Sequence, residues 1–207
     1  MSFSASVEIL EKKEWGNPTP QLILFRNLLS KKECDHIIKV STPFLHRSGT
    51  FSSAADKRRT STTAFSTNFS YDPVIKKVNE RCAALCGSCY SHVEPPQIVR
   101  YFSGEQFMNH KDNYPHTSPS FVKCGQRDYT FFVYLNEPGD LNQTGGETKF
   151  TKFDCSVKPE RGMAVFWKNI DIVSQKDDLR YYHCGLPPKN WTKWGMNIWI
   201  RHKPYKR

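Results

Sequence analysis

Long apolar runs are missing from this 207-residue chain. No stretch of about 18 or more apolar residues occurs, which excludes a membrane-spanning helix. The opening residues, MSFSASVEILEKKEWG, also lack the apolar core of a secretory leader. That favours the cytosol, or the lumen of the secretory pathway if a leader has been removed. Internal repeats, low-complexity tracts and shifts of composition are absent as well. Residues 1–207 therefore read as a single domain, long enough to bury a sizeable core. Negative charge is the scarcer sign, 20 Asp and Glu against 30 Lys and Arg, for a net +10. A basic balance suits acidic partners or nucleic acid in principle. Here the basic residues are scattered, at Lys31-Lys32, Lys57-Arg58-Arg59, Lys76-Lys77 and from Arg201 to Arg207. No stripe with interleaved aromatics forms, so most read as solvated surface and nucleic acid is not an expected partner.

The seven cysteines are an odd number and cannot all pair within the chain. Cys82, Cys86 and Cys89, with His92, do not follow the usual zinc-finger spacings. Their i, i+4, i+7 separation reads instead as the buried stripe of an amphipathic helix. Aromatic residues, at 14%, are plentiful and suit a β-rich core.

Elements follow from local pattern. Gln21 to Leu29, QLILFRNLL, is an apolar run fit for a buried strand. Ser30 and Glu33 have capping-box spacing and predict a helix through Cys34, Ile37, Ile38 and Val40, ended by Pro43. Arg47 to Thr67 is polar, rich in Ser and Thr and short of core positions, the composition of a mobile loop or an edge region. Asp72-Pro73 predicts a second helix with Val74, Ile75, Val78, Cys82 and Leu85 on its apolar face and an end near Gly87. After Pro95-Pro96 the pattern turns to β, with strands over Gln97 to Phe102, Arg127 to Leu135, Gly162 to Trp167 and Trp194 to Ile200. Helices first and strands after predict an α+β domain.

The stretch with the most chemistry is Gln97 to Asp112, QIVRYFSGEQFMNHKD. His110 and Asp112 at i and i+2 share one face of a strand and can reach one metal. With His183 they make two imidazoles and a carboxylate, a set that covers one face of an octahedral Fe(II) and leaves the other open. An isolated H-x-D is common and carries little by itself; the surrounding residues carry more.

Those surroundings resemble the prolyl 4-hydroxylase family of Fe(II)/2-oxoglutarate dioxygenases. The family pattern E-x-x-Q-x-x-R-Y-x-x-G-x-x-F/Y-x-x-H-x-D is matched by Glu94, Gln97, Arg100, Tyr101, Gly104, Phe107, His110 and Asp112. Gly125-Gln126-Arg127, Thr130 and Tyr134-Leu135-Asn136 follow in order, then Gly145-Gly146-Glu147-Thr148-x-Phe150. The last block is His183-x-Gly185-x-Pro187, Lys193-Trp194 and Trp199-Ile200-Arg201. The resemblance runs from about Leu24 to Arg201. It implies an α+β fold whose core is a double-stranded β-helix, jelly-roll or cupin-like, with supporting N-terminal helices.

It also implies an activity of the procollagen-proline 4-dioxygenase type. Proline in a peptide or protein would be hydroxylated while O2 and 2-oxoglutarate yield succinate and CO2, with ascorbate as an accessory. His110, Asp112 and His183 would be the metal ligands. Lys193 would pair with the far carboxylate of 2-oxoglutarate, with Tyr101 and Thr148 as hydroxyl donors; Trp191, Trp194 and Ile198 around Lys193 argue for burial. Arg59, Ser61, Glu94, Arg127 and Trp199 fall at peptide-groove positions. Phe107 and Arg201 depart from members with tyrosine and histidine there, which leaves the peptide preference open. Three other readings also stay open. They are oxidation of another side chain or a nucleic-acid base by the same site, a non-catalytic peptide-binding module, and a zinc-bound cupin. Oligomeric state is not legible.

Overall fold

The computed structural model describes residues 6–11, 21–49, 58–69, 71–171, 174 and 176–205. An exposed edge strand, β1 (Ser6–Leu10), pairs antiparallel with β2 (Leu22–Arg26), which occupies the middle of the expected apolar run. Ser30 then caps α1 (Lys31–Ser41). Its hydroxyl accepts from the Glu33 N–H while the Glu33 carboxylate accepts from the Ser30 N–H, the reciprocal box read from the sequence. Cys34 and Ile37 form the buried stripe. The α-helix stops before Pro43, and Thr42–Phe44 tightens into a 3-10 turn.

An edge hairpin follows, β3 (His46–Arg47) with β4 (Thr62–Phe65). This segment is not short of buried positions as its composition suggested. Arg59, Ser61, Thr63 and Ala64 are all buried. The polar ones tolerate burial because they satisfy one another: Ser48 Oγ lies 2.9 Å from Ser61 Oγ, and Arg59 donates to Ser61 and Thr63. Residues 50–57 of the expected loop lie outside the described residues.

Asp72 caps α2 (Pro73–Leu85) by accepting from the N–H groups of Val74 and Ile75, and Gly87, at φ +69°, closes it. The inward stripe is Ile75, Val78, Asn79, Cys82 and Ala83. Val74 and Leu85 do not belong to it; Leu85 is 44% exposed. Both sit roughly a quarter-turn around the helix from that stripe. Cys89 lies past the helix end and is exposed, so the expected cysteine stripe stops at Cys86.

The remainder is mostly β: β5 (Gln97–Tyr101), β6 (Phe107–His110), a short α3 (Pro119–Cys124), β7 (Arg127–Tyr134), β8 (Thr144–Gly145), β9 (Thr148–Phe150), β10 (Cys155–Val157), β11 (Ala164–Lys168), β12 (His183–Gly185), β13 (Pro188–Lys189) and β14 (Lys193–Arg201). The four expected strands correspond to β5, β7, β11 and β14. A large sheet runs β1-β2-β11-β7-β14-β5-β4-β3, a smaller one β10-β9-β12-β6, and β13 pairs with β8. This is the double-stranded β-helix core with helices on one side that the resemblance implies.

Alternation along the strands decides what meets what. Ile98, Phe131, Val133, Ala164, Phe166, Met196 and Ile198 pack with the stripes of α1 and α2. Their neighbours Val99, Tyr101, Phe132, Tyr134, Val165 and Trp167 pack on the opposite face with Phe150 and Phe153 of the small-sheet side. Both faces of the large sheet's central strands are covered, which explains their near-continuous apolar sequence, while the edge strands β1 and β3 stay exposed. The odd-numbered residues of β14, Lys193, Gly195, Asn197, Trp199 and Arg201, alternate with Met196, Ile198 and Ile200 and so face away from the helices.

Candidate active site

The end of β6 and the start of β12 meet in the small sheet with His183 paired directly to His110. Asp112 stands two residues beyond His110, just past the strand. One ligand atom from each of His110, Asp112 and His183 lies within 4.8 Å of the others. The tautomers are fixed from behind. Nδ1 of His110 lies 2.8 Å from the Met108 carbonyl and Nδ1 of His183 lies 3.0 Å from the Tyr181 carbonyl. A carbonyl only accepts, so each Nδ1 carries a proton, and in the neutral ring it is Nε2 that offers its lone pair. Phe107 stacks on the His110 ring at 3.6 Å between centroids.

Electrostatics prepare the same set. Burial, reinforced by the His183 imidazole, pushes His110 down to about 3, so it is neutral near pH 7. Burial alone would raise the Asp112 carboxyl, but His183, His110, Arg127 and the Thr130 hydroxyl together hold it below the usual carboxylate range. A neutral imidazole beside an ionised carboxylate is the protonation pattern a divalent metal requires. The donor set, two imidazole nitrogens and a carboxylate oxygen on one side of an open space, fits Fe(II).

That space is a cavity of about 790 Å3, and Lys193 reaches into it from β14. Lys193 is only 1% exposed. Its Nζ lies 5.5, 4.9 and 5.3 Å from the ring centroids of Tyr101, Phe132 and Tyr134. No carboxylate pairs with it among the described residues. Burial pushes its amine down to about 7, Glu147 and Cys184 opposing only weakly. A buried cation with aromatic walls and no anion is a receptor waiting for one. Gly146, at φ +82°, makes room here: a Cβ would meet the Trp191 ring at 2.6 Å and the Lys193 stem at 3.5 Å.

Thr148 lines the cavity, as does Tyr101, whose phenol interacts with Arg59 and Ser61. The sequence reading missed Tyr134 as a site residue. Its hydroxyl lies 2.7 Å from Thr148 Oγ1 and its ring flanks Lys193. The available signal was alternation: Tyr134 shares a face of β7 with Phe132, on a strand whose Thr130 also points to the site.

The expected groove residues form a second cluster on the same cavity. Glu94 accepts from Arg127 through both oxygens, Nε to Oε1 and Nη2 to Oε2, each at 2.8 Å. Arg201 donates to Glu94 Oε1 at 3.0 Å. The Arg127 guanidinium is sandwiched between Trp199, 3.5 Å from its ring centroid, and Tyr114, at 4.5 Å. Arg201 covers the other side of this group at 4.5 Å from the Tyr114 centroid, a contact the sequence did not announce. Arg59, Glu94, Arg127 and Trp199 all line the cavity. Ser61, fully buried, stands behind Arg59 and accepts its Nε–H at 3.2 Å.

Comparison with known proteins bears on the family and the fold. Residues 96–201 match the model of the 2OG-Fe(II) oxygenase superfamily. The chain is 28% identical over 202 residues to prolyl 4-hydroxylase subunit alpha-2 of Gallus gallus, which covers 93% of this chain and 36% of that protein. It thus spans little more than a third of the length of the curated relatives it matches. The viral collagen prolyl hydroxylase of Paramecium Bursaria Chlorella virus-1, solved as its 2OG complex, superposes with a TM-score of 0.67 at 28% identity, over 87% of this chain and 95% of that one. A Pseudomonas putida prolyl-4-hydroxylase shares the fold with a TM-score of 0.62 at 14% identity, over 88% of this chain and 92% of that one.

Proposed function

We propose, from the premise that this chain belongs to the 2OG-Fe(II) oxygenase superfamily, that it hydroxylates proline in peptide or protein substrates, as a procollagen-proline 4-dioxygenase does. Its cofactors are Fe(II), 2-oxoglutarate and O2, and ascorbate serves as accessory reductant in this reading. Residues 1–207 act as one catalytic domain. The observation that carries the reading is the opening of the His110–Asp112–His183 set onto the same cavity as the buried, unpaired Lys193.

His110, Asp112 and His183 hold the iron. Lys193 neutralises the far carboxylate of 2-oxoglutarate, with the hydroxyls of Tyr101, Thr148 and Tyr134 near it. When bound, iron with 2-oxoglutarate and O2 supplies the oxidising power for hydroxylating an unactivated C–H bond, with succinate and CO2 as by-products. The chain's own work is placement and exclusion. Phe107 and Trp167 pack against the ligand imidazoles and keep water from their faces. Arg127, held by both oxygens of Glu94 and by the Tyr114 hydroxyl, backs the Trp199 ring so that a proline ring can lie on it. Arg59 and Ser61 form the opposite part of the groove.

Incubation with Fe(II), 2-oxoglutarate, ascorbate and a panel of proline-containing peptides tests this. A mass gain of one oxygen on proline, matched by succinate, is expected. Succinate released with alkylated DNA, or with proline-free peptides alone, would overturn the proline assignment.

A further inference from the structure

Asp112 stands at the head of a buried chain of hydrogen bonds. Its Oδ2 accepts from Thr130 Oγ1 at 2.7 Å. Thr130 Oγ1 accepts from Asn169 Nδ2 at 2.8 Å, and Asn169 Oδ1 accepts from Trp167 Nε1 at 2.9 Å. Thr130, Asn169 and Trp167 are 0%, 2% and 1% exposed, so water cannot substitute for any link.

Each link has only one possible polarity. An indole nitrogen only donates, which fixes the Asn169 amide with its oxygen toward Trp167 and its NH2 toward Thr130. The threonine oxygen already receives a proton from Asn169, so its own proton goes to Asp112. The Asn169 backbone is held independently: its N–H donates to the Asp128 carbonyl at 2.8 Å, and its carbonyl accepts from Asn113 Nδ2 at 3.0 Å. The chain therefore has a fixed anchor. One carboxylate oxygen is capped from behind, while Oδ1 lies 3.9 Å from His110 Nε2, on the ligand side. The Trp167 ring also stands against the His183 imidazole at 4.7 Å between centroids. One tryptophan thus touches one ligand with its ring and reaches another through its N–H.

We infer that Thr130, Asn169 and Trp167 are positioning residues that keep Asp112 a one-oxygen ligand, so that a coordination position stays open for the chelating 2-oxo acid. The inference rests on the proposed metal site. A free carboxylate binds a metal through one oxygen or two. Six positions less three protein ligands leave room for a chelating oxo acid and O2; a two-oxygen Asp112 would take one of those positions. Partners behind a ligand are what orient it.

The test compares wild type with Thr130→Val, which keeps the shape and removes the proton, Thr130→Ser, which restores it, and Trp167→Phe, which keeps a ring against His183 and removes the N–H. Each is loaded anaerobically with Fe(II), its iron content is measured, and 2-oxoglutarate is titrated in while the visible absorption of the oxo-acid–iron chelate is recorded. For Thr130→Val we expect near-stoichiometric iron but 2-oxoglutarate affinity weakened about 10–100-fold. Thr130→Ser should recover most of it, and Trp167→Phe should move the same way by less. Wild-type affinity and absorption in both Thr130→Val and Trp167→Phe overturn the inference while leaving the metal site standing. Loss of iron itself in Thr130→Val also overturns it, since the chain would then hold the ligand and not its mode of binding. If Thr130→Val does not fold, Trp167→Phe decides alone. Failure of wild type to form the chelate overturns the metal site and the inference together.

Discussion

Two groups of charge line one cavity, and they are built in opposite ways. In the group around Glu94, the carboxylate is fully engaged within the protein: two guanidinium groups share it, leaving one net positive charge, and stack on Tyr114 and Trp199. In the group around the proposed metal ligands, capacity is left over. Two imidazole Nε2 atoms face the cavity side, Asp112 keeps an oxygen, and Lys193 has no anion among the described residues. The difference separates wall from receptor. A cluster bonded mainly to itself gives shape and stiffness, whereas one open to ligands forgoes stability until they arrive.

Substitutions should therefore fall into two kinds. The largest effect belongs to His110→Ala, Asp112→Ala and His183→Ala. Each should abolish succinate production while the metal-free protein keeps its circular dichroism and melts within a few degrees of wild type. Near-normal turnover in any one would remove that residue from the ligand set.

In the wall the opposite holds. Glu94→Gln strands Arg127 and Arg201 as buried cations and should destabilise the metal-free protein by about 3–5 kcal/mol. Denaturant unfolding measures this; an unchanged midpoint would mean the cluster is not the rigid wall described.

Lys193→Met should do the reverse and stabilise the metal-free protein. Burial holds the folded-state amine at about 7, well below its ordinary value. The unfolded chain therefore binds more protons between pH 7 and about 10.4, and wild-type stability rises with pH through that window. The advantage of Lys193→Met should be full below pH 7 and fade toward pH 10. Unfolding curves at pH 6.5 and 9.5 check the sign, and a constant difference would contradict it.

The smallest effect is a fraction of a proton. At pH 8 the free Lys193 is mostly neutral, and pairing with a carboxylate requires its ammonium form. Binding of 2-oxoglutarate should therefore take up protons at pH 8 and almost none at pH 6, as read by calorimetry in two buffers of different ionisation enthalpy. Lys193→Arg, charged throughout, should lose the difference.

Much of this was legible in the sequence where chemistry depends on local order. The capping box at Ser30, the Asp72-Pro73 helix start and the four long strands follow from propensity and period. His110 and Asp112, two residues apart, can share one face, but it was the residues around them that singled them out. His183 lies far along the chain, and only the ordered family pattern named it; its pairing with His110 is a matter of register between two strands of 3–4 residues, too short to show a period. Tyr134 was hidden because a tyrosine in an apolar strand looks like core, which it also is. Arg201 was noticed only as a departure, since its side-chain contacts, Glu94, the Ser120 carbonyl and the Tyr114 ring, come from distant segments. The buried hydroxyls of Ser48 and Thr63 fall in a stretch whose composition reads as a mobile loop or edge region, because composition cannot say that polar groups will satisfy one another.

The claim that the unsatisfied group is a receptor for 2-oxoglutarate is tested most directly by titrating 2-oxoglutarate anaerobically into Fe(II)-loaded wild type and Lys193→Ala. Loss of one partner of a buried pair costs about 3–5 kcal/mol, so the alanine variant should bind the cosubstrate roughly two to four decades more weakly while holding iron as before. Lys193→Arg, a planar fork in a pocket shaped for an ammonium, should recover part of the loss. Unchanged 2-oxoglutarate affinity in Lys193→Ala would contradict the account.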